Sequence, residues 1–308
     1  MKAVNLKRPN EIALIEMPPP VRGKGMARIK IKAAGICGSD INAYRGANPL
    51  VSYPRVIGHE LAGEIEEVDA DDPNGWKPGD RVVVDPYLYC GQCYPCSIGR
   101  TNCCEQLKVL GVQTDGGMAE SFVHPAKMLV RIPDEVPWTL APIAEPLTIS
   151  LHAIHRGKLH KGMHMVIIGA GTIGVLTALA ARTYGAEPIL IDIVQQRLAF
   201  AQELGIAHTI NSGTQDVCEK IRSLTKGRMA EVVLEASGAN RAIRQTLDIV
   251  AHAGTVVLTG WPKEHTLLPT DLITKKEIDI CGSRTSAGEF EEALQLIAGK
   301  KVDAQAIL

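Results

Sequence analysis

The chain has 308 residues, with 33 Lys and Arg against 34 Asp and Glu, a formal charge of −1. That balance excludes a general nucleic-acid partner or a polybasic membrane partner, because each needs a basic surplus. With 45% apolar and 22% charged residues the composition is globular, and the length exceeds one usual core, so two domains are expected.

From the first residue, Met1–Glu16 alternates charged and apolar positions with no long apolar run, so no secretory leader is expected. Residues 1 to about 150 read as β-rich. Ala27–Ile31 alternates, Arg81–Val84 is β-branched, and turn signals recur at Pro18–Pro20, Asp72–Gly75 and Lys77–Asp80. From about 150 to 285 the period changes, and apolar strands alternate with helical stretches. The predicted order is strand Met165–Ile168, helix Ile173–Tyr184, strand Pro188–Ile191, helix Gln195–Leu204, strand Glu231–Leu234, helix Arg241–Val250 and strand Thr255–Leu258. That is the βαβ pattern of a parallel sheet, and the class is α/β. Glu289–Ala298 then reads as a helix. The longest uncharged stretch, Met165–Ala181, falls short of the roughly 20 residues of a membrane helix and is broken by Gly169, Gly171 and Gly174. A soluble, cytoplasmic protein without membrane contact is expected.

Five of the eight cysteines crowd into Cys90–Cys104. In a chain read as cytoplasmic, such clustering means metal before disulfide. Cys90, Cys93, Cys96 and Cys104 give C-x2-C-x2-C-x7-C, four thiolates able to close a tetrahedral zinc site with no open position. Such a site is structural, and it would hold a lobe at about 86–108 that has little core of its own. A ferredoxin-type cluster is the rival, but its bacterial run has three residues and then Pro after the last cysteine, whereas Glu105 follows Cys104. Cys103 is adjacent and competes for the fourth position; spacing alone does not choose.

Strand Met165–Ile168 leads into Gly169-Ala170-Gly171-Thr172-Ile173-Gly174 and a helix. The first glycine makes a tight turn, the second lets a pyrophosphate approach the backbone, and the third lets helix and strand pack closely. The helix start offers unpaired N–H groups to phosphates. The next strand ends in Asp192, whose carboxylate would accept from adenosine ribose hydroxyls and repel a 2′-phosphate, favouring NAD over NADP. Arg197, five residues on, is a candidate to stack on adenine, with an exposed helix arginine as the alternative.

Gly35-Ile36-Cys37-Gly38-Ser39-Asp40, Gly58-His59-Glu60 and Glu145-Pro146 add a thiolate, an imidazole and two carboxylates. Together with the cysteine run and the glycine loop, in this order, they resemble the zinc-dependent medium-chain dehydrogenase/reductase family, closest to its sorbitol, polyol and sugar-acid (galactonate-type) members. The resemblance runs from about residue 1 to 305. It implies a GroES-like β-rich catalytic domain (1–150) plus a Rossmann doubly wound parallel sheet (151–285), with 286–308 starting a return to the catalytic domain and apparently truncated at Leu308, and with the active site in an interdomain cleft.

By position, the resemblance makes Cys37, His59, Glu60 and Glu145 ligands of a catalytic zinc, and it favours Cys104 as the fourth structural ligand. Ser39 takes the alcohol proton, and Asp40 orients a ligand imidazole. Glu145 stands where alcohol dehydrogenases use cysteine; a carboxylate there makes a harder site suited to a polyhydroxylated substrate. Ser237, Thr259, Gly260 and Trp261 are expected at the nicotinamide, and Arg284 against substrate and cofactor. The family commonly has His two positions after Asp40, as the outlet of the proton relay; here it is Asn42, with His152 and His155 as possible substitutes. The implied activity is hydride transfer from a secondary alcohol of a polyol or sugar acid to NAD by a homo-oligomer, a dimer or tetramer. The alternatives weighed are an L-threonine 3-dehydrogenase-type enzyme of amino alcohols, a catalytically silent NAD- and zinc-binding protein, and a zinc-free quinone reductase.

Overall fold

Alternating apolar residues in the first half of the chain pair into antiparallel sheets. In the computed structural model, which describes residues 1–308, the chain forms two units: Met1–Glu145 with Ala287–Ala298, and Pro146–Ser286 with Gly299–Leu308.

In the first unit the elements run β1 (Lys2–Arg8), β2 (Glu11–Glu16), β3 (Met26–Ala34), α1 (Gly38–Tyr44), β4 (Arg55–Val56), β5 (Leu61–Glu67), β6 (Arg81–Val84), β7 (Tyr87–Leu88), α2 (Tyr94–Ser97), β8 (Lys108–Val109), β9 (Ser121–Pro125) and β10 (Leu129–Arg131). They form a three-stranded sheet β2-β1-β4, a five-stranded sheet β10-β6-β5-β3-β9 and the ribbon β7-β8. Ala27, Ile29, Leu61, Ile65, Val82 and Val84 point into one buried core, as period-two patterning dictates. Gly63 sits where a Cβ would lie 2.5 Å from the Lys30 carbonyl oxygen, so β3 and β5 approach closely only because residue 63 has no side chain. Helix α3 (Ala144–Arg156) begins at the end of this unit.

The second unit follows with β11 (His164–Ile168), α4 (Thr172–Thr183), β12 (Glu187–Asp192), α5 (Gln195–Glu203), β13 (His208–Asn211), α6 (Val217–Leu224), β14 (Ala230–Glu235), α7 (Asn240–Ile249), β15 (Val250–Leu258), α8 (Thr270–Lys276) and β16 (Asp279–Gly282); α9 (Phe290–Ala298), last in the chain, belongs to the first unit. Six strands lie parallel in the order β13-β12-β11-β14-β15-β16. This is the doubly wound 3-2-1-4-5-6 arrangement, and the strand order reverses beside β11, where ligands bind at the carboxyl ends. Every residue of β11 is buried, as a central strand covered on both faces requires.

Four elements of the sheet unit lack a strong sequence signal. β13 holds one apolar branched residue in His208-Thr209-Ile210-Asn211, β16 is short and half polar, and α6 and α8 are rich in charge. The expected helix through Val250 stops at Ile249, and Val250 opens β15. The unit boundary falls between Glu145 and Pro146 rather than at 150, and residues 299–308 rejoin the second unit instead of continuing with the catalytic unit. Val302 and Ala304 anchor that tail by burial.

Candidate functional site

Cys37 stands at the N-terminus of α1, and its position is set by a reciprocal cap. Its Sγ accepts the Ser39 N–H at 3.4 Å, and its own N–H donates to Asp40 Oδ2 at 2.9 Å. His59 and Glu60 come from the turn that leads into β5. Glu60 lies close because residue 35 is glycine: a Cβ there would stand 1.9 Å from Glu60 Oε2. The ligand atoms of Cys37, His59 and Glu60 all lie within 4.8 Å of one another. Ser39 Oγ is 3.5 Å from His59 Nε2. Asp40 Oδ1 is 3.8 Å from His59 Nδ1, which is beyond hydrogen-bond reach, so Asp40 orders the Cys37 turn more than the imidazole. His59 Nδ1 is buried with no hydrogen-bond partner.

Glu145, on the first turn of α3, is buried and accepts the Tyr87 O–H at Oε1. Negative groups crowd this place. Burial opposes charge on His59, but its contact with Cys37 and the charges of Glu145, Cys37 and Asp40 outweigh it and push the imidazole up to about 10. Burial, then the charge of Glu145, lifts Glu60 to about 7. Burial also raises Glu145, against the pull of His59 and Tyr87. A dication would relieve this crowding, and sulfur, nitrogen and carboxylate oxygen are zinc donors. The residues therefore fit a zinc ion.

The second cluster is Cys90, Cys93, Cys96 and Cys104, again mutually within 4.8 Å. Cys93 Sγ lies 3.5 Å from Cys96 Sγ and 3.8 Å from Cys104 Sγ. Cys104, not Cys103, is the fourth member, and the N–H groups of Cys90 and Gln106 each point at its sulfur from 3.3 Å. Backbone N–H groups of Gln92 and Cys93 draw the Cys90 thiol down to about 6, while desolvation and the neighbouring Cys93 push Cys96 up to about 12. Four such thiols ionise together only around a cation, and the donor set fits a closed zinc site.

In the second unit, β11 runs into Gly169 (φ +109°), and Gly171 caps α4. A Cβ on Gly174 would sit 1.7 Å from the Gly169 carbonyl oxygen, whereas one on Gly171 would project into open space that a phosphate group can use. Asp192 is buried; its Oδ2 accepts the Ala170 N–H at 2.7 Å and its Oδ1 the Val194 N–H at 2.8 Å. The carboxylate thus braces the glycine loop, with Arg197 Nη1 at 3.7 Å. A cavity of about 420 Å³ opens here, lined among others by Gly169, Asp192, Arg197, Ser212, Ser237 and Arg241. The cradle fits a dinucleotide. Thr172 and Ile173 open α4, with the Ile173 carbonyl accepting the Ser150 hydroxyl at 3.2 Å. Ser237 is held by Glu235, a fully buried carboxylate. Thr259 Oγ1, past the end of β15, is buried without a hydrogen-bond partner. Gly260 packs against Gly238 and Glu235, Trp261 is 71% exposed, and Arg284 is exposed beyond β16. Thr259, Gly260, Trp261 and Arg284 do not line the cavity.

Sequence reasoning missed Tyr87, Ser212 and Arg241. Tyr87 precedes the first lobe cysteine by three residues and carries no motif of its own, and Ser212 and Arg241 sit just beyond β13 and at the start of α7. Of the suggested proton outlets, His155 Nε2 is 2.9 Å from the Tyr184 hydroxyl, and His152 is buried.

Residues 23–134 match the alcohol dehydrogenase GroES-like domain, and residues 172–299 match the zinc-binding dehydrogenase family. A zinc-type alcohol dehydrogenase-like protein of Haemophilus influenzae is 56% identical over 308 residues, covering 100% of this chain and 90% of that one. The L-galactonate-5-dehydrogenase of Escherichia coli is 35% identical, with 100% and 90% covered. A crystal structure from Escherichia coli CFT073, described as a short chain alcohol dehydrogenase (rspB) complexed with NADH, superposes with a TM-score of 0.92 at 34% identity, over 99% of this chain and 90% of that one. Donor sets, glycine loop and matched domains agree: this chain belongs to the zinc-type alcohol dehydrogenases of the medium-chain dehydrogenase/reductase family, a family of oxidoreductases.

Proposed function

We propose that the protein oxidises a secondary alcohol of a polyol or sugar acid to the ketone, with NAD as the hydride acceptor. The observation that carries this reading is the convergence of half-buried Cys37, buried His59 and Glu60 within 4.8 Å, with Glu145 adding charge beside them. These residues would hold the catalytic zinc. When bound, zinc would supply a Lewis acid that lowers the pKa of a substrate hydroxyl. Cys90, Cys93, Cys96 and Cys104 would hold a structural zinc.

The chain's own groups do the rest. Ser39, 3.5 Å from His59 Nε2, accepts the proton that the substrate hydroxyl gives up. Asn42 is exposed and cannot titrate near neutrality, so the proton leaves Ser39 to solvent. Asp192 selects NAD by accepting from ribose hydroxyls while it holds the Ala170 and Val194 N–H groups. The carboxylates at the centre supply acceptors to a substrate carrying several hydroxyls. When bound, NAD would take the hydride. The L-galactonate dehydrogenase likeness supports the sugar-acid end of the substrate range.

The same reading includes a homo-oligomer, supported by the open edge of β16 with Ile280 exposed, and a cytoplasmic site, supported by eight cysteines none of which pairs in a disulfide. No helix is long and apolar enough to cross a membrane. The test is NADH production over a panel of C5–C6 polyols, aldonates and L-threonine, with zinc measured alongside. Turnover of a polyol or aldonate above threonine is expected. Threonine ahead of both, or no turnover of any, overturns the reading.

A further inference from the structure

We propose that Tyr87 is a positioning residue that carries the order of the four-cysteine lobe into the catalytic cluster by fixing the Glu145 carboxylate. The inference rests on the metal reading of that cluster. Tyr87 belongs to both neighbourhoods. Its ring forms the buried core of the lobe with Cys104 and Leu107, and Cys90, Cys93 and Cys96 pack against that core. Its backbone lies in β7, paired with Val109 of β8, and its N–H donates to Asp85 Oδ1 at 3.1 Å. Its hydroxyl leaves the lobe and donates to Glu145 Oε1 in a buried bond.

A tyrosine has few rotatable bonds, and this one is 4% exposed, so the place of its hydroxyl follows the place of the lobe. Glu145 is different. Its side chain turns on more rotatable bonds than a tyrosine's, and it does not join the set of ligand atoms that converge within 4.8 Å at Cys37, His59 and Glu60. A phenol donating to a carboxylate is a charge-assisted bond in a low-dielectric place, where geometry is held firmly. Groups that bond a metal-ligating carboxylate orient it and tune metal affinity. The sequence shows how the coupling is built. Tyr87 stands in the strand that enters the lobe, just before its first cysteine, so ordering Cys90–Cys104 also orders the phenol.

The experiment uses the full chain with zinc kept in the lobe and cobalt exchanged into the Cys37 cluster. The cobalt absorption bands report ligand geometry, and transfer to a chelator reports the off-rate. If the wild-type chain takes up no cobalt there, the metal reading fails and the proposal with it. Given uptake, Tyr87→Phe, which removes only the hydroxyl, shifts the bands and raises the off-rate roughly ten- to a hundredfold, with lobe zinc retained. Leu107→Ala, or the milder Leu107→Val should the first not fold, loosens the ring and moves the bands the same way in the wild-type background, but adds nothing in Tyr87→Phe. Unchanged bands and off-rate in Tyr87→Phe, or a Leu107 effect of equal size in both backgrounds, overturn the proposal while the metal reading stands.

Discussion

The four-cysteine lobe takes all its donors from one stretch, Cys90–Cys104, whereas the cluster around Cys37 draws on separate places: the cap of α1, the turn before β5 and the first turn of α3. The lobe needs little beyond its own loop to bring four sulfurs together. The cluster exists only once the first unit has folded around it, and it brings acidic groups so close together that burial and mutual charge lift Glu60 and Glu145. On the proposed reading one region is a staple and the other a reaction site. Substitutions should therefore fail in different ways in the two.

The largest expected effect is at the cluster. Cys37→Ser should abolish turnover, a loss greater than the roughly 100-fold typical of groups that only support a ligand, while NADH binding, read by fluorescence titration, stays near wild type. Full activity would remove Cys37 from the ligand set. Cys96→Ser tests the other side of the contrast. It should release one zinc and lower Tm by about 10 °C, the scale of roughly 4 kcal/mol in a domain of this size, as calorimetry would read. An unchanged Tm would mean that the lobe stands without its metal.

A pH series sharpens the comparison, because the sheet behind the cluster holds a buried neutral histidine. Burial pulls His124 down to about 4, against the help of its 2.8 Å bond to the Asp85 carbonyl. A depressed histidine pKa means that the unfolded chain binds the proton first. Its contribution is therefore whole above about pH 6.5 and is lost as the pH falls toward 4. Urea titrations should show about 3 kcal/mol of stability lost from this group across that window. His124→Phe should flatten that fall, and an equally steep fall in the variant would clear His124 of it.

The smallest expected effect lies in the second unit. Asp192→Ala should reduce the preference for NAD over NADP by about tenfold, near 1.4 kcal/mol, and also lower Tm, because the Ala170 and Val194 N–H groups lose their acceptor. Asp192→Asn keeps an acceptor oxygen and should recover most of the Tm without the preference. An unchanged NAD-to-NADP ratio in both variants would show that Asp192 only braces the loop.

What was legible in the sequence follows the same division. The cysteine run and the glycine loop are local, so spacing displays them, and the strands flanking the loop are apolar enough to stand out. Spacing left Cys103 and Cys104 level; the resemblance favoured Cys104, and the turn that buries it is what brings its sulfur to the other three. The cluster's members were legible through family resemblance, since no periodicity links residues 37, 59 and 145. Tyr87 was invisible because its role depends on a contact between segments 58 residues apart. Gly35 is a similar case: its reason is the Glu60 carboxylate that a Cβ would strike. β13 and β16 went unread because parallel partners, and not their own alternation, make them strands.

On the proposed reading this chain binds two metals, one in each donor set. Zinc per chain, measured by elemental mass spectrometry on freshly purified wild type, Cys37→Ser and Cys96→Ser, tests it most directly. Two ions are expected in the wild type and one in each variant. A single ion in the wild type, or two retained in Cys37→Ser, would contradict it.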